Sequence, residues 1–72
     1  MTTIVMKSGK VFRDVRLSRF GEQLVIVYAT RKDVQGDELV KMVAGGEVYS
    51  FKERGEDEWR ICFNTSEVEG VK

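Results

Sequence analysis

The chain is 72 residues long and 42% hydrophobic, with seven glycines, which is enough for one small folded domain and no more. It contains no histidine and one cysteine, which excludes Ser-His-Asp and Cys-His catalysis, so we predict a non-enzyme that binds no metal or cofactor. Its 12 basic and 12 acidic residues give a net charge of zero, which disfavours general nucleic-acid binding without excluding it.

Three strand-like segments occupy the first half of the chain. The first two, residues 4–6 and 11–20, are separated by the turn signal Ser8-Gly9. The third, residues 24–29, is continuously apolar and rich in β-branched residues, as expected of a central strand. Alternation along residues 11–20 predicts two faces, one with Val11, Val15 and Leu17 and the other with Phe12, Asp14, Arg16 and Ser18.

Three more strand-like segments follow a polar loop at residues 31–37. They are residues 39–44, 48–51 and 59–63, with tight turns at Gly45-Gly46 and at residues 54–57. Their short connections predict that each strand lies antiparallel beside its predecessor in the chain. The fold class that follows is all-β, a small five- or six-stranded antiparallel barrel or roll formed by residues 1–64.

The C-terminal tail, residues 65–72, has too few apolar side chains to pack well. We predict that the tail frays, or that it forms one short helix because Asn64 precedes Glu67 by three residues in a cap-like spacing. At the other end, no positively charged segment precedes an apolar one, so no secretory signal is visible. No apolar run approaches the roughly 20 residues that cross a bilayer, and the expected location is the reducing cytoplasm, away from membranes.

A family resemblance over residues 4–51 is carried by Gly9, Leu17, Phe20 and residues 24–27 and 43–51. It is to the Sm-like small-barrel superfamily, and it implies a barrel of the SH3-like or Sm-like kind. In that family a turn glycine is followed by a leucine, an aromatic residue three positions later, and an apolar run. Those positions are matched here by Gly9, Leu17, Phe20 and residues 24–27. The family's second motif combines a glycine with spaced apolar residues, and residues 43–51 follow that spacing.

The resemblance does not extend to the polar residues that surround a bound RNA base in that family. Its Asp, Asn and Arg positions are occupied here by Gly21, Val25 and Ala44, none of which offers a side-chain hydrogen bond. The resemblance therefore implies a barrel-like backbone without the family's RNA-base pocket.

The charges are distributed unevenly along the chain. Residues 1–32 carry seven basic and two acidic side chains, and residues 33–72 carry five basic and ten acidic ones, so the two halves have net charges of +5 and −5. A dipolar monomer suits head-to-tail assembly, and a core this small is marginal alone, so we predict a homo-oligomer. The alternative is that both groups of charges are solvated surface and never meet.

Five residues are candidates for binding a partner: Arg16, Phe20, Arg31, Lys32 and Trp59. Arginine and tryptophan dominate the energetics of protein interfaces, and the three cations can bind carboxylate or phosphate groups. The alternative for the cations is a solvated strand surface that discourages edge aggregation. The alternative for the two aromatic residues is packing in the core.

These features together predict a non-catalytic interaction module, a regulator or inhibitor that acts through contacts with a protein partner. Phages encode many chains of this size, an analogy that rests on length alone. The alternative function is binding of nucleic acid or a nucleotide by an Sm-like scaffold that uses the basic N-terminal half. Strong salt dependence and co-purifying nucleic acid would distinguish this alternative from a protein-binding module.

Overall fold

The computed structural model describes residues 2–72, together with all of their side chains except those of Arg19 and Phe20. The strands pair only in antiparallel fashion and form one six-stranded sheet, which confirms the predicted all-β class. The elements are β1 (Thr2–Met6), β2 (Val11–Phe20), β3 (Leu24–Thr30), α1 (Gly36–Ala44), β4 (Val48–Arg54), β5 (Glu58–Asn64), a 3-10 turn (Thr65–Glu67) and β6 (Val68–Val71).

The strands lie in the order β4-β5-β3-β2-β1-β6. β2 pairs with β1 through its first part and with β3 through its second, so it joins the two halves of the rolled sheet. The predicted order of sequential neighbours was wrong at β3, which lies beside β5 rather than β4. The prediction assumed a short connection where α1 lies, whereas this helix carries the chain far enough for β4 to pair with the other side of β5.

Residues 36–44 form α1, where we predicted the end of a loop and a strand at residues 39–44. Leu39 and Met42 are buried three residues apart, the spacing that puts both on one face of a helix. Asp37 and Glu38 lie in the first turn, where acidic side chains interact favourably with the helix dipole. The strand prediction was wrong because a short apolar run fits either period, and only the flanking acidic and glycine residues identify a helix.

The pair Gly45-Gly46 ends α1 instead of turning a β-hairpin. The Gly45 N–H donates to the Lys41 carbonyl at 2.9 Å, and the Gly46 N–H donates to the Val43 carbonyl at 3.1 Å. Gly46 has a φ of 82°, in the left-handed region that favours glycine at the residue after a helix. The glycine pair is therefore a helix stop signal.

A β-bulge in β2 changes which side chains face the core. The register between β1 and β2 shifts by one residue, and Asp14 at the shift has a left-handed φ of 55°. Phe12, Val15 and Leu17 all pack toward the core as a result, and Arg16 points away from it. The prediction that Phe12 faces away from Val15 was wrong, because strict alternation does not allow for the extra residue that the bulge inserts between them.

The C-terminal tail belongs to the sheet. A single 3-10 turn covers Thr65–Glu67, and Val68–Val71 forms β6, which pairs with β1. Backbone hydrogen bonds between Thr3 and Lys72, at 2.8 and 3.0 Å, hold the last residue in place. The expectation of a frayed tail was wrong because the free edge of β1 supplies the hydrogen-bond partners that make up for the few apolar side chains.

One hydrophobic core lies between the rolled sheet and α1. Phe12 and Phe63 meet at its centre with ring centroids 5.0 Å apart. Val34, in the segment predicted to be a polar loop, is also buried and carries the connection between β3 and α1 against the core. The buried residues are Ile4, Met6, Phe12, Val15, Val25, Val27, Ala29, Val34, Leu39, Met42, Val48, Ile61 and Phe63.

Candidate binding surface on the outer face of the sheet

A row of four side chains crosses the outer face of the sheet, which is the face turned away from the core. Arg16 on β2 lies opposite Tyr28 on β3, Tyr28 lies opposite Arg60 on β5, and Arg60 lies opposite Lys52 on β4. Adjacent strands are about 4.8 Å apart, so this row is roughly 14 Å long. We call these four residues the basic row.

The alternation of β3 and β5 positions the centre of the basic row. On β3, Val25 and Val27 are fully buried, which turns Tyr28 outward. On β5, Ile61 and Phe63 are fully buried, which turns Arg60 outward. Because side chains alternate strictly along a strand, burial of the apolar set fixes the polar set on the opposite face.

Tyr28 lies among cationic groups. The Arg16 guanidinium carbon is 4.8 Å from the centroid of the Tyr28 ring, and that of Arg54 is 5.2 Å away, both within the range of a cation–π interaction. Arg54 also approaches the phenol oxygen, with Nη1 3.4 Å from Oη. The phenol is therefore an acceptor in a strongly positive environment.

The acidity of Tyr28 reflects these neighbours. A hydrogen bond from the Ser18 side chain lowers the pKa of Tyr28 below its ordinary value of 10.0, and the positive charges of Arg54, Arg60 and Arg16 lower it further. Partial desolvation raises the pKa and opposes part of this effect. The lowered pKa is the expected result of placing a phenol at the centre of the basic row.

Two described carboxylates lie beside the basic row, Asp14 at the β2 bulge and Glu58 on β5, and the one that contacts the row is Glu58. Its two oxygens are 3.2 and 3.3 Å from Nη2 of Arg16. Within residues 2–72, no described carboxylate forms an ion pair with Lys52, Arg54 or Arg60. The three cations therefore have no carboxylate in direct contact, although Glu58 lies directly opposite Arg54 in the β4–β5 register.

One hydrogen-bond donor of Arg60 is unsatisfied within the described residues. Its Nε is buried and has no hydrogen-bond partner among the described residues. A buried donor without a partner is destabilising, and Nε of Arg31 shares this condition.

An open pocket of about 570 Å³ adjoins the basic row at the β2 bulge. Its lining includes Val15, Arg16, Leu17 and Tyr28. Thr2, Asp14, Thr30 and Glu58 complete the rim. The pocket offers space for one side chain of a partner that lies along the outer face.

The structure places the five predicted binding residues in different regions. Arg16 belongs to the basic row, whereas Arg31 and Trp59 lie on the core side of the sheet beside α1. The Arg31 guanidinium is 4.4 Å from the centroid of the Trp59 ring, and it forms an ion pair with Glu53. Lys32 is exposed in the turn that follows β3. Phe20 ends β2, and its side chain lies outside the described part of the structure.

Trp59 packs at the margin of the core. Its indole N–H donates to the Val34 carbonyl at 3.0 Å, and its ring meets that of Phe51 edge-on at 5.5 Å. A β-carbon at Gly36 would come within 3.2 Å of the Trp59 ring, which explains the glycine at the start of α1. These contacts hold the β3–α1 connection against the sheet.

Sequence reasoning missed the rest of the basic row, namely Tyr28, Lys52 and Arg60, as well as the neighbouring Arg54. Arg60 lies at an alternate position of a strand whose flanking positions are apolar, so a signal for its exposure was present, whereas Glu53 interrupts the alternation around Lys52 and Arg54. Their assembly into one surface depends on the cross-strand register, which alternation does not give. The surface also combines both halves of the chain, so the division into a basic and an acidic half concealed it.

The described residues contain no cluster of three or more His, Cys, Asp or Glu that could hold a metal ion. Nor does any helix in residues 2–72 have the length and apolar character needed to cross a membrane. Comparison with protein-family models, curated proteins and solved structures yielded no match to this chain.

Proposed function

We propose that the protein is a non-catalytic interaction module whose outer face binds an acidic segment of a partner protein. The observation that supports this most is the group of Arg16, Lys52, Arg54 and Arg60 around Tyr28, of which only Arg16 forms an ion pair with a described carboxylate, that of Glu58. Complementary charge steers such encounters and fixes their register. A role as regulator or inhibitor, and the Sm-like resemblance, stay predictions from the sequence.

The surroundings of Tyr28 favour a protein over nucleic acid as the partner. Single-stranded nucleic acid is held by a positively charged groove that follows its backbone together with bases that stack on open aromatic rings. Tyr28 already has two guanidinium groups within 4.8 and 5.2 Å of its centroid, so a base would have to displace one of them. Carboxylates of an acidic segment can bind the same guanidinium groups from above without moving them.

Self-association is a second part of the proposal, and it rests on size and charge. The described core has thirteen buried hydrophobic residues, and no disulfide stabilises it because Cys62 is the only cysteine. We expect a dimer or higher oligomer when light scattering is measured on a sizing column. A monomer at high micromolar concentration would contradict this part and leave the binding surface untouched.

The binding proposal is tested with defined probes at low ionic strength. Three fluorescent ligands are compared by anisotropy: a peptide of alternating glutamate and serine, the matched lysine–serine peptide, and oligothymidylate. We expect the glutamate peptide to bind, with an affinity that falls as salt is added, and the lysine peptide not to bind. Arg60→Gln should weaken the glutamate complex about tenfold, equivalent to about 1.4 kcal/mol.

Lys7→Gln is the matched control, because it removes the same charge from an exposed turn between β1 and β2. It should change the affinity by less than about twofold, as expected of a remote surface charge. Tight oligothymidylate binding without glutamate-peptide binding would replace the proposal with the nucleic-acid alternative. Equal effects of the two variants would also contradict it, since attraction would then depend on net charge alone.

A further inference from the structure

Lys52, Arg54 and Arg60 can converge on one point of the outer face. Arg60 lies directly opposite Lys52, and Arg54 follows two positions along β4 on the same face. Directly opposite side chains have β-carbons about 4.5–5.5 Å apart, and diagonal neighbours about 7–8 Å apart. All three side chains are long and flexible enough to bring their charged ends around a single ligand atom.

These three cations differ from the paired cations of the same molecule. Lys10, Arg16 and Arg31 each form an ion pair with a glutamate. Lys52, Arg54 and Arg60 form none with the carboxylates that the structure describes, although they lie close enough to repel one another. An anion with more than one charge would relieve that repulsion best.

We propose that Lys52, Arg54, Arg60 and the Tyr28 hydroxyl bind one phosphate monoester carried by the acidic segment of the partner protein. This inference rests on the proposed function and names the group at the centre of that segment. A phosphate monoester carries about −1.5 to −2 charges at neutral pH and three terminal oxygens, whereas a carboxylate carries one charge and two oxygens. The dianion therefore balances the three cations more completely.

The donor types and their arrangement fit phosphate. Guanidinium groups present fixed pairs of N–H donors that match its oxygens, and Arg54 and Arg60 supply two such groups on this face. The Tyr28 oxygen is 3.4 Å from Nη1 of Arg54, which leaves the phenolic proton free to be donated to the ligand. The pKa of Tyr28 is lowered first by the Ser18 hydrogen bond and then by the positive charges of Arg54, Arg60 and Arg16 near this oxygen.

The test compares two peptides that differ by one phosphate. The first is a glutamate-rich peptide with a central serine, the second is the same peptide with phosphoserine, and both are titrated into the full chain by calorimetry. We expect the phosphopeptide to bind at least about tenfold more tightly, since charge-assisted bonds to a dianion exceed those to a neutral hydroxyl. Inorganic phosphate should compete, but only at much higher concentration.

Variants show whether the preference comes from the assigned residues. Lys52→Gln and Arg54→Gln should each reduce the ratio of the two affinities toward one, whereas Arg16→Gln should weaken both complexes and preserve the ratio. The thermal unfolding midpoint of each variant shows whether it is folded. Arg54→Lys gives a second measure, because it keeps the positive charge but removes the paired N–H donors of the guanidinium group. Arg54→Lys should lower the ratio of the two affinities, but the phosphopeptide should still bind more tightly than the unphosphorylated peptide.

Equal binding of the two peptides would overturn this inference and leave the proposed function intact. Failure of both peptides to bind would overturn the two together. Inorganic phosphate that binds as tightly as the phosphopeptide would assign the site to free phosphate and contradict a protein-borne ligand.

Discussion

The two faces of β5 have different roles. The inward side chains Trp59, Ile61 and Phe63 pack against the core, and Ile61 and Phe63 are completely shielded from solvent. The outward side chains Arg60 and Cys62 lie half-exposed on the surface that we propose for binding. One strand therefore stabilises the fold with its odd positions and contributes to the proposed binding surface with its even ones.

The difference shows that the apolar pattern constrains the outer face only indirectly. Burial of Ile61 fixes which way Arg60 points, but the identity of residue 60 has little effect on the core. Substitutions on the two faces should consequently separate stability from binding. The experiments below test that separation.

The largest effect is expected on the inner face. Ile61→Ala removes a fully buried side chain and should lower the free energy of unfolding by about 2–5 kcal/mol, through lost burial and the cavity left behind. Urea denaturation followed by circular dichroism measures it. A loss below about 1 kcal/mol would show that this side chain does not pack as described.

Trp59→Phe tests the margin of the core. It keeps most of the ring but removes the indole N–H that donates to the Val34 carbonyl at 3.0 Å. Leaving that carbonyl without a partner should lower the free energy of unfolding by about 1–3 kcal/mol, measured by denaturation with circular dichroism as the signal. An unchanged denaturation midpoint would show that the hydrogen bond from Trp59 to the Val34 carbonyl does not stabilise the fold.

Arg60→Gln tests the outer face of the same strand. Because the side chain lies outside the core, the change should alter the free energy of unfolding by about 0.5 kcal/mol or less, while it weakens binding of the glutamate peptide. A stability loss comparable to that of Ile61→Ala would abolish the proposed separation between the faces.

The smallest effect concerns pH. The pKa of Tyr28 is lower in the folded protein than its ordinary value of 10.0, so between those two values the folded state binds fewer protons than the unfolded one. Stability should therefore increase with pH across that interval, and this gain should be absent below it and in Tyr28→Phe. The tyrosinate absorbance of the wild-type protein, after subtraction of the Tyr28→Phe titration, gives the pKa directly, and a value at or above the ordinary one would contradict the described surroundings.

The fold was predictable from the sequence wherever the local apolar pattern and the turn residues were sufficient to define an element. Residues 24–29 and 59–63 were correctly predicted as strands because their inward residues are apolar and their bounds are marked by polar turns. Residues 39–44 were not, since Leu39 and Met42 satisfy helical spacing within a run that also fits a strand. β6 was missed because its stability comes from pairing with the distant β1.

The candidate surface was predictable only in part. Arg16 was identified from its charge, but Tyr28, Lys52 and Arg60 are separated by many residues along the chain and meet only through strand register. Trp59 was proposed as a binding residue because tryptophan is common at interfaces. In the structure its indole N–H donates a hydrogen bond to the Val34 carbonyl within the chain. The shared reason is that register and packing are tertiary properties, which local patterns do not encode.

Charge reversal at the centre of the basic row tests the central claim most directly. Arg60→Glu is titrated with the glutamate–serine peptide and with the lysine–serine peptide, and Lys7→Glu serves as the control of equal net charge. If the outer face is the binding surface, Arg60→Glu loses the glutamate peptide and gains affinity for the lysine peptide, while Lys7→Glu keeps the wild-type preference. If both variants retain the glutamate peptide with the affinity of the wild-type protein, the outer face is not where this protein binds its partner.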